Sequence, residues 1–207
     1  MLLGISGLAA SGKDTSADFL VKEFNFVKIS FADPIKRIAR DVFDFSEAQL
    51  WGPSQFRNEP DPRFPKEDGT FLTPREVLQE LGSVLRKCYP NVWIDYALRL
   101  SDTILDNPTK FTYSNKLGLY PQDCSQNPIQ GVAIADVRYR NEIEILRKRG
   151  AKIIRVKRAA AGLSGKAALH SSEVEQQSIL DEEFDLVVDN NDSFDHLYNQ
   201  LKDFYVQ

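Results

Sequence analysis

A glycine-bounded loop, Gly7 to Thr15, most constrains what this sequence can fold into. It follows a short apolar run, Met1 to Ile5, which predicts a buried strand, and it leads into Thr15 to Phe24, whose apolar residues recur at helical spacing. Glycines allow backbone torsions and close approaches that a side chain would obstruct. In the order strand, loop and helix, backbone N–H groups can converge on phosphate oxygens at the positive end of the helix dipole. The sequence therefore predicts a phosphate-binding loop.

The spacing inside the loop matches the P-loop pattern, with four residues between Gly7 and Gly12 and then Lys13, which is expected to reach the β- and γ-phosphates. The pattern normally continues with Ser or Thr, whose hydroxyl binds Mg²⁺, but here Asp14 follows and the hydroxyl comes in Thr15. Asp14 is interpreted either as a metal ligand or as a cap of the helix. The predicted ATP-binding residues are Gly7, Ala10, Ser11, Gly12, Lys13, Asp14 and Thr15.

Length and composition bound the class of protein. The chain has 207 residues, enough for one α/β domain with a sizeable core. It is 42% hydrophobic and 27% charged, as is ordinary for a globular protein. The net charge of −4 disfavours a dedicated nucleic-acid surface. Cys88 and Cys124 have no metal-ligand spacing and are expected to be free thiols in a reducing compartment.

Nothing in the sequence predicts a targeting or membrane segment. No apolar run approaches the roughly 18 residues of a membrane helix, and the first strand is preceded by no basic region or signal sequence. We therefore expect a cytoplasmic protein without membrane or nucleic-acid partners. A homodimer is compatible with a chain of this size.

Strands and helices alternate along the chain. Further strands are predicted at 26–31, 131–136, 152–156 and 184–188, and helices at 34–43, 73–85, 91–105, 139–150, 173–180 and 193–204. Asp33 is expected to cap the first of these helices, and Thr73 with Glu76 forms a capping box at the next. The alternation predicts an α/β fold in three layers, with a mostly parallel sheet covered on both sides.

Two stretches do not fit this alternation. Residues 51–73 hold many prolines and charges and are expected to contain no regular element. Residues 107–130 are equally irregular, and the sequence does not choose among an insertion, a partner surface and a hairpin. The chain is treated as one domain, with an acceptor-binding insertion at about 33–106 and a lid at about 157–172.

Asp136 ends a buried strand, at the edge of the sheet where the phosphate loop is also expected. A Mg²⁺-organising carboxylate is typical of this place in phosphoryl-transfer enzymes, although capping of the following helix is an alternative. Transfer also needs positive charge around the moving group. Candidates for that charge are Lys13, Arg138, Arg140, Arg155, Arg158 and Lys166.

Several short motifs occur in one order along most of the chain, and together they resemble the phage-type deoxynucleoside monophosphate kinases. Asp14 after the lysine is shared with that family, and residues 107–130 lie outside the resemblance. The motifs are Gly12-Lys13-Asp14-Thr15, Phe31 to Lys36, Thr73-Pro74-Arg75-Glu76 with Gln79 and Gly82, Asp136 to Tyr139 with Asn141-Glu142, His170 to Glu173, and Asp189 to Asp192.

The resemblance implies a P-loop kinase fold and ATP- and Mg²⁺-dependent phosphorylation of a deoxynucleoside 5′-monophosphate (dNMP) to the diphosphate, in the host cytoplasm if the protein is phage-encoded. Arg75 resembles the residue that binds the acceptor phosphate and Gln79 one that binds the base or sugar. Lys36 and Arg138 are assigned to the acceptor site with them. The implied catalytic residues are Lys13, Asp136, Arg138 and Arg158, and the implied metal ligands are Asp14, Thr15 and Asp136.

Other interpretations stay open at this point. The chain could be a P-loop kinase of another phosphorylated metabolite, such as dephospho-coenzyme A or phosphomevalonate. It could also be a non-catalytic ATP-binding protein, or the loop could be a turn that binds no nucleotide. A nucleic-acid ATPase is disfavoured by the acidic balance. His170 is expected to have a structural or lid-contact role, because an anionic phosphate acceptor needs no general base.

Overall fold

The computed structural model describes residues 1–162 and 171–206, and the backbone alone for 171–173. Its strands are Leu2–Ser6 (β1), Phe26–Ser30 (β2), Phe111–Ser114 (β3), Gly118–Pro121 (β4), Gly131–Val137 (β5), Lys152–Lys157 (β6) and Leu186–Asp189 (β7). Its α-helices are Lys13–Phe24 (α1), Ala32–Phe43 (α2), Glu47–Trp51 (α3), Ser54–Asn58 (α4), Pro74–Cys88 (α5), Val92–Asp106 (α6), Arg140–Lys148 (α7), Ser171–Ser178 (α8) and Phe194–Val206 (α9).

Within these described ranges, five strands form one sheet in the order β2-β5-β1-β6-β7, and every pairing is parallel. β1 lies at its centre, between β5 and β6. The phosphate loop therefore leaves the middle of the sheet, which in a parallel sheet is a place where ligands bind. The predicted three-layer α/β fold is confirmed.

In the inner strands of the sheet, β5, β1 and β6, successive side chains point to opposite faces. Leu3 and Ile5 are fully buried on one face, where α1 and α9 cover them with residues such as Leu20 and Leu197. Ile134 packs on the other face, against α6 and α7. Burial on both faces explains why the strand sequences are continuously apolar.

The prediction that 51–73 holds no regular element is wrong, because α4 lies inside it. A separate apolar cluster folds this region, with Phe45 and Leu50 buried in it and the ring of Phe64 packed edge-on against Phe45. Arg57, on α4, donates hydrogen bonds to the carbonyls of Leu50 and Gly52 at 3.2 and 3.1 Å. These contacts stabilise a short helix that its own sequence would not predict.

The hairpin left open for 107–130 is present, as β3 and β4 pair in antiparallel fashion from Phe111 to Pro121. The capping box at α5 is also confirmed, since Thr73 N donates to the Glu76 carboxylate at 2.7 Å and Thr73 Oγ1 accepts from Glu76 N. Asp33 does not cap α2. The helix begins at Ala32, and the Asp33 carboxylate instead accepts from Ser30 N at 3.0 Å. No described helix combines the length and apolar character that crossing a membrane requires.

Candidate active site

The phosphate loop joins β1 to α1, and its conformation depends on its glycines. Gly7 and Gly12 have φ values of 152° and 102°, which side chains rarely adopt. A Cβ on Gly7 would lie 2.6 Å from the carbonyl oxygen of Val156, and one on Gly12 would lie 2.2 Å from Asn190 Nδ2. Neither position therefore has room for a side chain, and the backbone of the loop passes close to its neighbours.

Asn190, which directly follows β7, supports the phosphate loop. This side chain is buried and donates a hydrogen bond from Nδ2 to the Ser11 carbonyl at 2.8 Å. The Oγ of Ser11 is buried and has no hydrogen-bond partner among the described residues. A loop of positive-φ glycines, an unsatisfied hydroxyl and the amino end of α1 together fit a phosphate group.

Asp136 is placed by an irregularity in the sheet. The pairing of β1 with β5 runs from Ile5 opposite Ala135 directly to Ser6 opposite Val137, so Asp136 bulges out of the ladder. Its φ is 72°, a left-handed conformation that is costly for a residue with a side chain. Such bulges redirect a side chain beside active sites. Here the bulge directs the carboxylate towards the phosphate loop.

Two cations hold the Asp136 carboxylate. Lys13 Nζ lies 3.3 Å from its Oδ1, and Arg138 Nε donates to the same oxygen at 2.8 Å. Burial alone would raise the pKa of Asp136, but the charges of Arg138 and Lys13 outweigh burial and lower the pKa to about 2. The carboxylate is therefore ionised at neutral pH. Its other oxygen accepts no hydrogen bond from the described residues.

A cavity of about 450 Å³ opens in front of Lys13 and Arg138, between the phosphate loop, α2 and α5. Ala10 of the phosphate loop lines this cavity. Arg75 and Gln79, the two residues of α5 predicted to contact the acceptor, line it as well. Of the described residues that line this cavity, none is a carboxylate and five are cations. The cations are Lys13, Arg57, Arg75, Arg86 and Arg138.

A second cavity, of about 840 Å³, lies beside the edge strand β2, between α1 and the β3-β4 hairpin. Lys36 and Asp14 line this cavity and not the first one, and Arg57 borders both. Burial lowers the pKa of Lys36, and the nearby charge of Arg57 adds to that effect. Lys36 thus lines a different cavity from Arg75 and Gln79, although it is close enough to Asp136 and Asp14 for their charges to act on its pKa.

Asp14 does not cap α1, which has no side-chain cap. Its carboxylate lies 3.0 Å from Lys28 Nζ on β2 and is largely exposed. Thr15, one residue on, is half-buried. The two candidate metal ligands therefore differ in their surroundings, because Asp14 is paired with Lys28 and lines the larger of the two cavities.

Two of the arginines considered for charge stabilisation are engaged elsewhere. Arg155 donates to the carbonyls of Ile179 and Gln176, at 2.5 and 2.8 Å, and it therefore anchors the segment after α8. Arg140 is paired with Glu183. Arg158 is exposed just beyond β6, in neither cavity. Lys166, His170 and the rest of 163–170, the middle of the expected lid, lie outside the described residues.

Sequence reasoning assigned no role to several side chains that shape the site, among them Arg86, Glu142 and Gln176. Arg86 had a usable signal, because Arg75, Gln79 and Arg86 follow one another on the same face of α5. Gln176 had none, since its importance comes from contacts between residues far apart in the chain.

Comparison with known proteins adds to this geometry. A protein of Acanthamoeba polyphaga mimivirus, whose name gives it as a candidate deoxynucleotide monophosphate kinase, is 31% identical over 202 residues, covering 97% of this chain and 94% of that protein. The chain belongs to the deoxynucleotide monophosphate kinase family. It is therefore a phosphotransferase, as the motifs predicted. No family model matches the sequence.

One solved structure supports the fold of this kinase family member, and a second gives a lower TM-score. An unliganded sugar kinase from a Janibacter species superposes with a TM-score of 0.52 at 13% identity, over 99% of this chain and 94% of that one. A dephospho-CoA kinase from Campylobacter jejuni gives a TM-score of 0.46 at 15% identity, over 99% and 95%. At this identity the first likeness concerns the fold alone.

Proposed function

We propose that this kinase transfers the γ-phosphoryl group of ATP to the 5′-phosphate of a dNMP. The bond from the γ-phosphorus to the β–γ bridging oxygen breaks, an acceptor phosphate oxygen forms the new bond, and the products are ADP and a deoxynucleoside diphosphate. The observation that carries the proposal is the cavity in front of Lys13, lined by five cations and no described carboxylate. Such a lining favours an acceptor that already bears phosphate.

The chain's own residues have separable tasks in this proposal. The loop around Gly7 and Gly12 binds the triphosphate of ATP through backbone N–H groups, and Lys13 lies where its ammonium meets the β- and γ-phosphates. Arg138, fixed by its hydrogen bond to Asp136, adds charge on the acceptor side. An acceptor phosphate oxygen is anionic, so no side chain has to remove a proton from it.

A magnesium ion fits this arrangement of donors. Asp136 is ionised, and its Oδ2 accepts no hydrogen bond from the described part of the chain, so that oxygen is available to a hard cation. The hydroxyl of Thr15 is the second donor we propose. Asp14 is a weaker candidate, because it pairs with Lys28. When bound, the ion would offset the charge that develops on the transferring phosphate.

The proposal is tested by incubating the protein with ATP, Mg²⁺ and each dNMP in turn, with separation of the nucleotides afterwards. We expect equal amounts of ADP and a deoxynucleoside diphosphate with at least one dNMP. Phosphorylation of dephospho-coenzyme A or phosphomevalonate, with every dNMP left unchanged, would replace the acceptor in the proposal. Binding of ATP without transfer to any of these acceptors would contradict kinase activity altogether.

A further inference from the structure

Arg86 lies near the end of α5, on the wall of the cationic cavity. Its guanidinium stacks over the ring of Tyr139, 4.5 Å from the ring centre, and its Nη2 lies 3.6 Å from Glu142 Oε1. Arg86 donates no hydrogen bond to any residue that the structure describes. The stacking thus fixes the plane of the guanidinium, and the donors along its edge are open to a ligand.

The other arginines of the wall have fewer open donors. Arg75 donates from Nε to the side chain of Asn58, and Arg57 donates to two backbone carbonyls. Burial lowers the pKa of Arg57, and the charge of Arg75 adds to that effect. Of Arg57, Arg75 and Arg86, Arg86 is thus the one that donates no hydrogen bond to a described residue.

Glu142 connects Arg86 to the corner where transfer takes place. Its Oε2 accepts from the backbone N–H groups of Arg138 and Tyr139, at 2.8 and 3.0 Å, while its Oε1 faces Arg86. Glu142 is only 3% exposed, so these contacts hold it in one position. The end of α5 that carries Arg86 is thereby fixed against the turn that carries Asp136 and Arg138.

Arg75 is at the opposite end of the same helix. Arg86 is eleven positions further along the chain, which corresponds to about 16 Å along the axis. A small acceptor can therefore meet the two guanidiniums with different groups, and the group to be phosphorylated must lie at the Asp136 and Arg138 end.

On the basis of the proposed function, we propose that Arg86 binds the 5′-phosphate of the acceptor nucleotide beside Arg138, and that Glu142 is the positioning residue that holds Arg86 there. Arg75 then contacts a more distant part of the acceptor as well as, or in place of, its phosphate. Two contacts hold the Arg86 guanidinium in this arrangement: the ring of Tyr139 packs against its face, and the carboxylate of Glu142 lies at one edge.

The experiment compares the wild type with Arg86→Ala, with Lys87→Ala as the matched control, because Lys87 is the exposed neighbour on the same helix. The KM values for the dNMP and for ATP are measured, together with the inhibition constant of the deoxynucleoside that lacks the phosphate. We expect Arg86→Ala to raise the dNMP KM at least about tenfold, the size of one charge-assisted contact, and to leave the ATP KM and the nucleoside constant unchanged.

Glu142→Gln and the double variant test the positioning role. Glu142→Gln should raise the dNMP KM less than Arg86→Ala does, and adding it to Arg86→Ala should have little further effect, because both changes disturb one contact. Full additivity would show that Glu142 acts independently of Arg86. An unchanged dNMP KM in Arg86→Ala, or an equal weakening of the nucleoside, would overturn the phosphate assignment.

Calorimetric titration of the dNMP into each variant separates this inference from the proposed function. If the dNMP binds to the wild type and not to Arg86→Ala, but neither protein phosphorylates it, the binding site stands and the proposed reaction is wrong. If Arg86→Ala leaves both dNMP binding and turnover unchanged, Arg86 does not bind the acceptor phosphate, but the proposed reaction still stands. No dNMP binding to the wild type would end both.

Discussion

The side-chain amide of Gln176 donates a hydrogen bond to the carbonyl oxygen of Val137 at 2.6 Å. The same amide exchanges hydrogen bonds with the hydroxyl of Ser6, at 2.9 and 3.2 Å. Val137 follows Asp136 and Ser6 precedes the phosphate loop, so one buried glutamine on α8 ties together both strand ends of the site. α8 begins at Ser171, at the end of the stretch expected to form the lid.

Replacing Gln176 should therefore disturb the site. Gln176→Leu leaves the Val137 carbonyl and the Ser6 hydroxyl buried without their partner, which should cost about 1–3 kcal/mol in the free energy of unfolding. We also expect a lower kcat, because the bulge at Asp136 loses its support. Denaturant unfolding and steady-state kinetics measure the two effects. Gln177→Leu, at the exposed neighbouring position, is the control, and equal behaviour of the two variants would refute the role.

Lys13→Ala should reduce the rate of phosphoryl transfer by about a hundredfold or more, the loss typical when a preorganised charge is removed from the transferring group. The fold should be largely retained, since Lys13 is buried at the wall of the cationic cavity and belongs to none of the apolar clusters that the described residues form. Lys22→Ala, on the exposed side of the same helix, should leave kcat unchanged. Near-normal kcat in Lys13→Ala would remove the phosphate loop from the mechanism.

Arg75→Ala should raise the KM for the acceptor far more than the KM for ATP, because Arg75 lines the cationic cavity, proposed as the acceptor site, at a distance along α5 from the phosphate loop. We expect a change of about ten- to a hundredfold, the effect of one charge-assisted contact. Arg149→Ala, which removes a surface pair with Asp102, is the control. A rise in the ATP KM instead would show that the two sides of the site are assigned the wrong way round.

Glu142 should make the stability depend on pH. Burial raises the pKa of this carboxyl to about 7 from 4.5, against the opposing effect of the N–H groups of Arg138 and Tyr139. The folded state therefore holds the proton more tightly than the unfolded state does. The resulting stabilisation is complete below pH 4.5 and is lost as the pH rises through about 7.

Substitution by glutamine isolates this effect. The unfolding free energy of Glu142→Gln relative to the wild type should rise between pH 4.5 and 7 by an amount on the order of 3 kcal/mol. Denaturant titrations across that range measure the difference. Glu144→Gln, at an exposed position of the same helix, is the control. Its unfolding free energy relative to the wild type should not change with pH. A flat difference for Glu142→Gln as well would contradict the raised pKa.

Much of this architecture could be predicted from local patterns. The glycine spacing around Gly7 and Gly12, the apolar run that ends in Asp136 and the capping box at Thr73 each depend on neighbouring residues, and the structure has all of them. The short helix α4 was missed because its stabilising contacts lie outside the helix, where Arg57 donates to the carbonyls of Leu50 and Gly52 in the preceding segment.

The site was harder to predict than the fold. Asp14 and Lys36 lie close to site residues in sequence, yet their side chains face a cavity beside β2. The start of a helix is uncertain by about two residues or more when it is predicted from sequence. The direction in which a side chain of its first turn points is therefore uncertain too. Glu142 and Gln176 act through partners far away in the chain, and such pairs cannot be inferred from a single sequence. Arg86 could have been grouped with the two predicted acceptor residues on one face of α5, but its contact with Glu142 could not have been inferred.

The central claim is that the phosphate loop and Asp136 direct the γ-phosphoryl group of ATP onto a nucleotide phosphate in the cationic cavity. A ³¹P NMR time course with ATP, Mg²⁺ and each dNMP, including modified pyrimidines, tests it most directly. We expect the γ-phosphate signal to fall as the β-phosphate signals of ADP and a deoxynucleoside diphosphate rise in equal amounts. Release of inorganic phosphate with every dNMP intact, or no change in the ATP signals, would contradict the claim.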